Sequence, residues 1–403
     1  MTINAAEGIV TAQRSDGHAS GQMTQGQLRN AKCEMMPLDL PPIDTPALLI
    51  DLDIVDRNLE RMQQRADKFG VALRPHIKTH KIPELALLQM RLGASGITAA
   101  KVSEAEVMAA AGMKNIFVAN QIVSKDKLTR LATLSKEVNI SIGLDSVAAA
   151  HILSDVFAAS GLSIEYLIEI NSGLNRCGVS PGKEAVELFQ TVDTLPALRF
   201  KGIFTHAGQV YGAGSLSEVQ KISRHESIIM AETAQAFAEV GTSPDIVSVG
   251  STPTMKVWQG HKAVNEIRPG NYIFHDAIQM SLGAATLEEC ALSIVATVIS
   301  RPEKERAVLD GGSKAFGLDR GAHGKEMVTG FGIVLGKQAI LARLSEEHGI
   351  MTLGPSVDLD IGDKVRIIPN HACAVVNLFD RAYGIRNGEV VEEFKIAARG
   401  KSQ

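Results

Sequence analysis

Cysteine is scarce in this chain: the four present, Cys33, Cys177, Cys290 and Cys373, lie far apart and form no CxxC pair. A disulfide framework is therefore not expected, and a reducing cytoplasm is the expected compartment. Long apolar runs are missing too, none approaching the ~18 residues that a bilayer span requires, so no membrane partner is expected. Charge of one sign is not in excess either. A net charge of −4 over 403 residues gives no electrostatic case for a nucleic-acid partner. Residues 1–40 lack the apolar region of a signal peptide and are rich in Gly, Ser, Gln, Asn and Thr, which predicts a flexible N-terminal arm without chemistry. What the chain does have is 45% hydrophobic residues, enough for a large core and more than one domain.

Apolar residues recur at helical spacing from Asp53 to Gly70, with Asp53 as the expected cap and Gly70 as the stop. A rhythm of short apolar strand, polar residue and helix follows. The expected strands are Val71 to His76, Gly96 to Ala100, Asn115 to Ala119, Ile140 to Leu144, Ile164 to Ile170, Phe200 to Thr205, Ile246 to Val249 and Glu266 to Phe274. Eight strands interleaved with helices predict an α/β fold of the (β/α)8 TIM-barrel type over 41–281. The intervening helices include Lys81 to Leu92, Ser103 to Ala111 with Ser103 and Glu106 at capping-box spacing, Ser146 to Ala159, Lys183 to Val192 and Leu216 to Val240. Barrel enzymes carry chemistry at the C-terminal ends of their strands, which here puts Lys78, Lys101, Asn120, Asp145, Asn171, His206, Ser251 and Arg268 at one rim. After about Leu282 the helices give way to alternating, β-branched segments and an Arg386-Asn-Gly turn, which predicts a smaller β-rich C-terminal domain over 282–403.

Five clusters carry candidate chemistry. In Arg74-Pro-His-Ile-Lys-Thr-His-Lys81, His76, Lys78 and His80 alternate, so on an extended chain all three share a face. A lone lysine there would read as a solvated basic turn; flanked by two imidazoles at a strand mouth, Lys78 reads as a desolvated, imine-forming amine. In Pro369-Asn-His-Ala-Cys373, an imidazole and a thiol two apart make half of a zinc site, and equally describe a buried histidine beside a structural cysteine. Gly250-Ser-Thr-Pro-Thr254 with Arg268-Pro-Gly-Asn-Tyr272 fits a phosphate cup at the seventh and eighth strands. Arg176, in Asn171-Ser-Gly-Leu-Asn-Arg-Cys-Gly178, reads either as a surface arginine or as a partner for a heterocycle's ring nitrogen. His206 and Tyr211, in Thr205-His-Ala-Gly-Gln-Val-Tyr, are placed to flank a planar cofactor.

With Thr45-Pro-Ala-Leu-Leu-Ile-Asp-Leu at the front, these motifs resemble the D-serine dehydratase and D-threonine aldolase group of fold-type III (alanine-racemase-like) pyridoxal-phosphate enzymes, from about Asp44 onward. The resemblance implies Lys78 as the Schiff-base lysine, with His206 as a second catalytic group, and His371 with Cys373 as ligands of a divalent metal, zinc before manganese or magnesium. It further implies that Arg176, His206 and Tyr211 surround pyridoxal 5'-phosphate (PLP), and that Gly250, Ser251, Gly270, Asn271 and Tyr272 hold its phosphate region. The His-x-Cys pair resembles the dehydratases of the group, while Val-Val-Asn-Leu-Phe379 and Ala-Ala-Arg-Gly-Lys-Ser402 resemble its aldolases. The implied function is a PLP- and metal-dependent lyase acting on a small β-hydroxy-D-amino acid as a homodimer, leaning to dehydration, with aldol cleavage to glycine and an aldehyde as the alternative. A racemase would not need the metal pair, and a non-catalytic PLP carrier would not need the β domain.

Overall fold

The computed structural model describes residues 43–403, so the arm expected over 1–40 lies outside the described residues. Among the described residues no helix is long and apolar enough to cross a membrane. Eight parallel strands form the barrel: β2 (Ala72–Leu73), β3 (Ile97–Ala99), β4 (Asn115–Val118), β5 (Asn139–Leu144), β6 (Ile164–Ile170), β7 (Leu198–Thr205), β8 (Ile246–Val249) and β9 (Glu266–Ile267). They are ordered β2-β9-β8-β7-β6-β5-β4-β3, and the ring closes where Ile77 N donates to Thr98 O at 2.9 Å and Thr98 N donates to Pro75 O at 2.8 Å.

The last strand is much shorter than the expected Glu266 to Phe274. Pro269 has no N–H to give, and the chain leaves the sheet for a 3-10 turn over Asn271–Ile273. Two helix starts also differ from expectation. Asp51, not Asp53, caps the helix Leu52–Phe69 by accepting from Ile54 N at 3.1 Å, while Asp53 is held by Arg386 at 2.6 Å. The helix Val102–Ala110 is started by the Glu104 carboxylate, which accepts from Ala100 N at 2.8 Å and Lys101 N at 3.2 Å. Ser103 and Glu106 both face Arg130 instead.

The second domain is a nine-stranded sheet built from β10 (Leu292–Glu303), β11 (Arg306–Leu309), β12 (Gly332–Val334), β13 (Ala339–Leu344), β14 (Gly349–Leu353), β15 (Lys364–Pro369), β16 (Arg381–Arg386) and β17 (Glu389–Lys395), with one strand from far upstream. That strand, β1 (Ala47–Asp51), falls within the 41–281 stretch expected to be barrel, yet it runs antiparallel to β10 and parallel to β16. Leu48, Leu49 and Ile50 are fully buried, as a strand covered on both faces must be.

The barrel interior carries a polar column. Arg74 donates to Glu266 at 2.7 Å, Ser248 donates to the other Glu266 oxygen at 2.6 Å, and Arg268 donates to Ser248 Oγ and the Thr205 carbonyl. Both members of the Arg74–Glu266 pair are almost wholly buried. Removing one partner of such a pair leaves an uncompensated charge in a poorly solvated place, so Glu266→Ala is expected to destabilise the protein by about 3–5 kcal/mol in urea unfolding. A loss under about 1 kcal/mol would mean that water already solvates this column.

Candidate active site

Lys78 stands at the C-terminal mouth of the barrel, but on a turn rather than an extended strand. Lys81 N donates to Ile77 O at 2.8 Å and Lys81 itself has φ 57, so the chain folds back before Pro83 opens the next helix. The turn separates the two histidines that alternation put on one face. His76 stays with Lys78, whose backbone N donates to His76 Nδ1 at 3.4 Å. His80 is fully buried elsewhere, accepting from Ile82 N at 3.1 Å, and burial pushes its imidazole down to about 4.

A cavity of ≈ 270 Å³ opens above Lys78, lined also by His76, Asn120, Gln121, Arg176, His206, Gly250 and Arg268. Burial draws the Lys78 ammonium below its ordinary range; Cys373 and Glu104 oppose the shift, and Arg176 and Arg268 add to it. The His76 and His206 imidazoles are held well below their usual range by burial first and then by Lys78 and neighbouring cationic groups, so both are neutral rings. An amine whose ammonium is weakened by burial, sharing a cavity with two imidazoles, is suited to giving and taking protons.

The loops behind the cavity meet its wall closely. Gly250 has φ 117, and a side chain there would press on Met255 and on the Arg268 backbone. At Gly270 an added Cβ would stand 3.0 Å from the His76 carbonyl and 3.2 Å from Thr79 Oγ1, so glycine lets the strand-nine loop lie directly on the Lys78 turn. The Gly250 N–H does not face the cavity as a free donor: it donates to Glu226 Oε1 at 2.9 Å. Ser251 N likewise donates to Thr254 Oγ1 at 3.0 Å. Asn271 donates to Asp276 at 2.6 Å. Tyr272 lies outside the Lys78 cavity, its hydroxyl accepting from Gln89 at 3.0 Å and its ring lining a separate space of ≈ 170 Å³ against Asn58 and His275. Arg176 is more than half exposed and sits 3.8 Å from the buried Glu169 carboxylate.

The β domain reaches the Lys78 turn beside the cavity. β15 ends at Pro369, and His371 precedes the short helix Ala372–Val376, so His371 and Cys373 belong to a helix start and not to the extended chain that their spacing suggested. They nevertheless act on each other. Burial lowers the His371 imidazole and raises the Cys373 thiol, but Asp319 and the thiol bring the imidazole well above its range, while His371 and Lys78 bring the thiol below its own. His371 Nδ1 is 3.6 Å from Asp319 Oδ2. Cys373 Sγ lies 3.2 Å from Thr79 Oγ1, one residue from Lys78. Tyr211, in the 3-10 turn Gly208–Gly212, completes this side; Gln279 donates to its hydroxyl at 3.3 Å, and burial together with the Cys373 sulfur raises its phenol. The Lys78 cluster and the His371–Cys373 cluster, nearly 300 residues apart in sequence, thus meet across the domain boundary.

Several contributors carry no sequence signal. Asp319 sits in a loop with no periodicity, and Thr79 and Gln121 are ordinary loop residues until the fold is known. Asp276, which accepts from Ala372 N at 2.9 Å and so anchors the helix start after His371, is legible from sequence only as a helix cap.

The "Alanine racemase, N-terminal domain" family matches residues 50–277, and the "Putative serine dehydratase domain" family matches residues 291–385. The chain is 33% identical over 371 residues to a D-threonine aldolase of Arthrobacter sp, covering 90% of this chain and 95% of that one. It is 36% identical over 349 residues to the D-threo-3-hydroxyaspartate dehydratase of Delftia sp. (strain HT23), covering 82% of this chain and 91% of the relative. Solved structures of a D-threo-3-hydroxyaspartate dehydratase superpose with a TM-score of 0.82 at 33% identity over 88% of this chain, and 97% and 95% of theirs. In those two variants a histidine and a cysteine at His-x-Cys spacing are each replaced by alanine, the cysteine variant being in a metal-free form. These relatives are lyases, some aldolases and some dehydratases, and PLP fits the family. By both of its domains and by identity along nearly its whole length, this chain belongs to the D-serine dehydratase and D-threonine aldolase family of alanine-racemase-like enzymes.

Proposed function

We propose that the protein is a PLP- and divalent-metal-dependent lyase of β-hydroxy-D-amino acids that dehydrates its substrate to a 2-oxo acid and ammonia. The observation that carries this reading is the 3.2 Å contact between Thr79 and Cys373, which joins the Lys78 turn of the barrel to the His371–Cys373 pair of the β domain. The residues fit the cofactor: a cavity walled by Lys78, Arg176 and Arg268 suits an anion-bearing ring, and Gly250 adds no side chain to its lining. When bound, PLP supplies the electron sink that makes the substrate's α-carbon acidic. Lys78 is the anchoring amine and the base at that carbon, and His206 flanks the ring. Arg176 faces the ring nitrogen, and the Gly250–Ser251 and Gly270–Asn271 loops bound the phosphate region. Tyr272 supports that region from behind through its backbone N, which donates to Thr252 Oγ1 at 3.0 Å.

The metal donors fit too. His371 turns Nδ1 toward Asp319, which leaves Nε2 as the ligand nitrogen, an arrangement common around metal-bound histidines. An imidazole and a thiolate as the two protein ligands would leave positions open for substrate, as catalytic sites do. Zinc is the preferred occupant of such a donor pair, where it would supply Lewis acidity toward the β-hydroxyl. The working form is proposed to be a cytoplasmic homodimer.

Dehydration is preferred because the His-x-Cys spacing is shared with the dehydratase variants described above. Aldol cleavage is the second reading, supported by the similarity to the Arthrobacter aldolase. Product analysis with D-serine, D-threonine and 3-hydroxy-D-aspartate separates them, as keto acid with ammonia against glycine with aldehyde. A single base at a chiral site reaches only one Cα–H, so L-serine and L-threonine are expected to turn over at less than about 1% of the D rate. Comparable rates on both hands would sink the assignment.

A further inference from the structure

Glu226 lies in the middle of the helix Leu216–Glu239, outside the barrel, and is fully buried. Its Oε1 accepts the Gly250 N–H at 2.9 Å, and its Oε2 has no hydrogen-bond partner among the described residues. Burial pushes its carboxyl up to about 7, against the pull of the Gly250 N–H, of Arg268 and of the Ala207 backbone and Thr254 side chain that also lie against it. A buried carboxylate in such a place is costly and is tolerated only for what it organises. What it faces is two loop roots: Ala207 directly follows His206 at the end of β7, and Gly250 directly follows Val249 at the end of β8. Arg268 braces the same two strands from inside the barrel, donating to the Thr205 carbonyl and to Ser248 Oγ. Glu226 itself does not line the Lys78 cavity.

We propose that Glu226 is a positioning residue which fixes the Gly250–Thr254 loop relative to His206 and thereby sets the affinity for the cofactor phosphate. The inference rests on the functional reading above, since it assumes that PLP occupies the Lys78 cavity. Its mechanism is geometric. With the Gly250 amide tethered outward to Glu226, the loop holds its left-handed turn and keeps the glycine backbone against Arg268. Without the tether the amide needs another partner, and the loop that borders the phosphate loses its fixed position.

The test is the PLP dissociation constant of the full-length protein, measured by absorbance titration after removal and re-addition of the cofactor. Glu226→Met removes the acceptor at nearly constant volume, and Glu226→Asp keeps the charge but falls one methylene short of Gly250. Either is expected to weaken PLP binding about 10–100-fold, the effect of leaving the buried Gly250 N–H without an acceptor. Glu226→Gln retains a carbonyl oxygen for the Gly250 N–H and is expected to bind within about threefold of wild type. At saturating PLP, turnover in all three should stay within about tenfold of wild type, because Glu226 does not touch the cavity; a purely structural role would lower the folded fraction and leave the affinity of the folded molecules unchanged. If the Met variant fails to fold, the Asp variant carries the comparison. Wild-type affinity in the folded Met or Asp variant, or a Gln variant as weak as those two, overturns the inference while leaving the functional reading intact. A wild-type protein that binds no PLP overturns both.

Discussion

Replacing Lys78 with alanine is expected to lower turnover of every β-hydroxy-D-amino acid substrate by about 10³-fold or more, since a positioned acid–base group alone contributes about 10²–10⁴. On the proposed reading two roles are lost at once, the covalent anchor and the base. The proposed roles are consistent with its setting: it shares a cavity with His76 and His206, and burial weakens its hold on its proton. Borohydride treatment of the wild type should bleach the visible cofactor band and leave one pyridoxyl label, on the peptide containing Lys78. Neighbouring Lys81 offers an internal control, because it is buried away from the cavity and bonded to Asn377 at 2.9 Å and to Glu104 at 3.2 Å. A label on Lys81, or a Lys78→Ala variant retaining a tenth of the activity, would show that the anchoring amine has been misplaced.

Cys373→Ala should separate the metal's contribution from the cofactor's. The variant is expected to bind PLP and to keep the Lys78 label, yet to lose its metal and about 10²–10³-fold in product formation, the scale of several kcal/mol of Lewis-acid stabilisation. Exchange of the α-proton with solvent deuterium should survive, because it needs the cofactor and Lys78 but not departure of the β-hydroxyl. Chelator treatment of the wild type should give the same split. If Cys373 is merely packed against Thr79, the variant will instead lose about 1 kcal/mol of stability, the cost of a small cavity, and retain its turnover per folded molecule. Undiminished product formation in a metal-free sample would falsify the metal role.

The barrel is legible in the sequence because its signal is local. Each strand is a short apolar run between amphipathic helices, and the ends of helices such as Lys183–Val192 follow from spacing alone. Lys78 and His206 are legible for the same reason, as polar residues at strand ends. Legibility fails where a distant partner decides. Alternation cannot tell a strand from a turn that begins two residues later, so it groups His80 with Lys78 although His80 is buried beneath the turn. Arg74 reads as part of a basic cluster, but its partner Glu266 is at the other end of the barrel sequence and draws it inside. Tyr272 follows a loop that does reach the site, but Pro269 and Gly270 turn the chain so that its ring faces the helix Leu52–Phe69 instead. Asp319 approaches His371 within the second domain through a loop whose path no local pattern encodes.

The strand β1 has a consequence for how this chain is made. It occupies the interior of the second sheet, with Ala47 opposite Val295 and Leu49 opposite Tyr383, so the whole barrel is an insertion between neighbouring strands of another domain. At about 5–20 residues per second, β1 leaves the ribosome many seconds before either neighbour exists. During that interval its apolar segment Leu48 to Ile50 has no pairing edge, whereas each barrel strand finds a neighbour within a few dozen residues. The barrel can thus assemble during synthesis, but the sheet cannot close around β1 until β16 has emerged, and the proposed active site, divided between the two, is completed only then. A nascent chain stalled after the barrel would present β1 as an exposed adhesive segment, and a fragment beginning at 282 would fail in the reverse sense, with the edges of β10 and β16 bare and prone to pair with other copies.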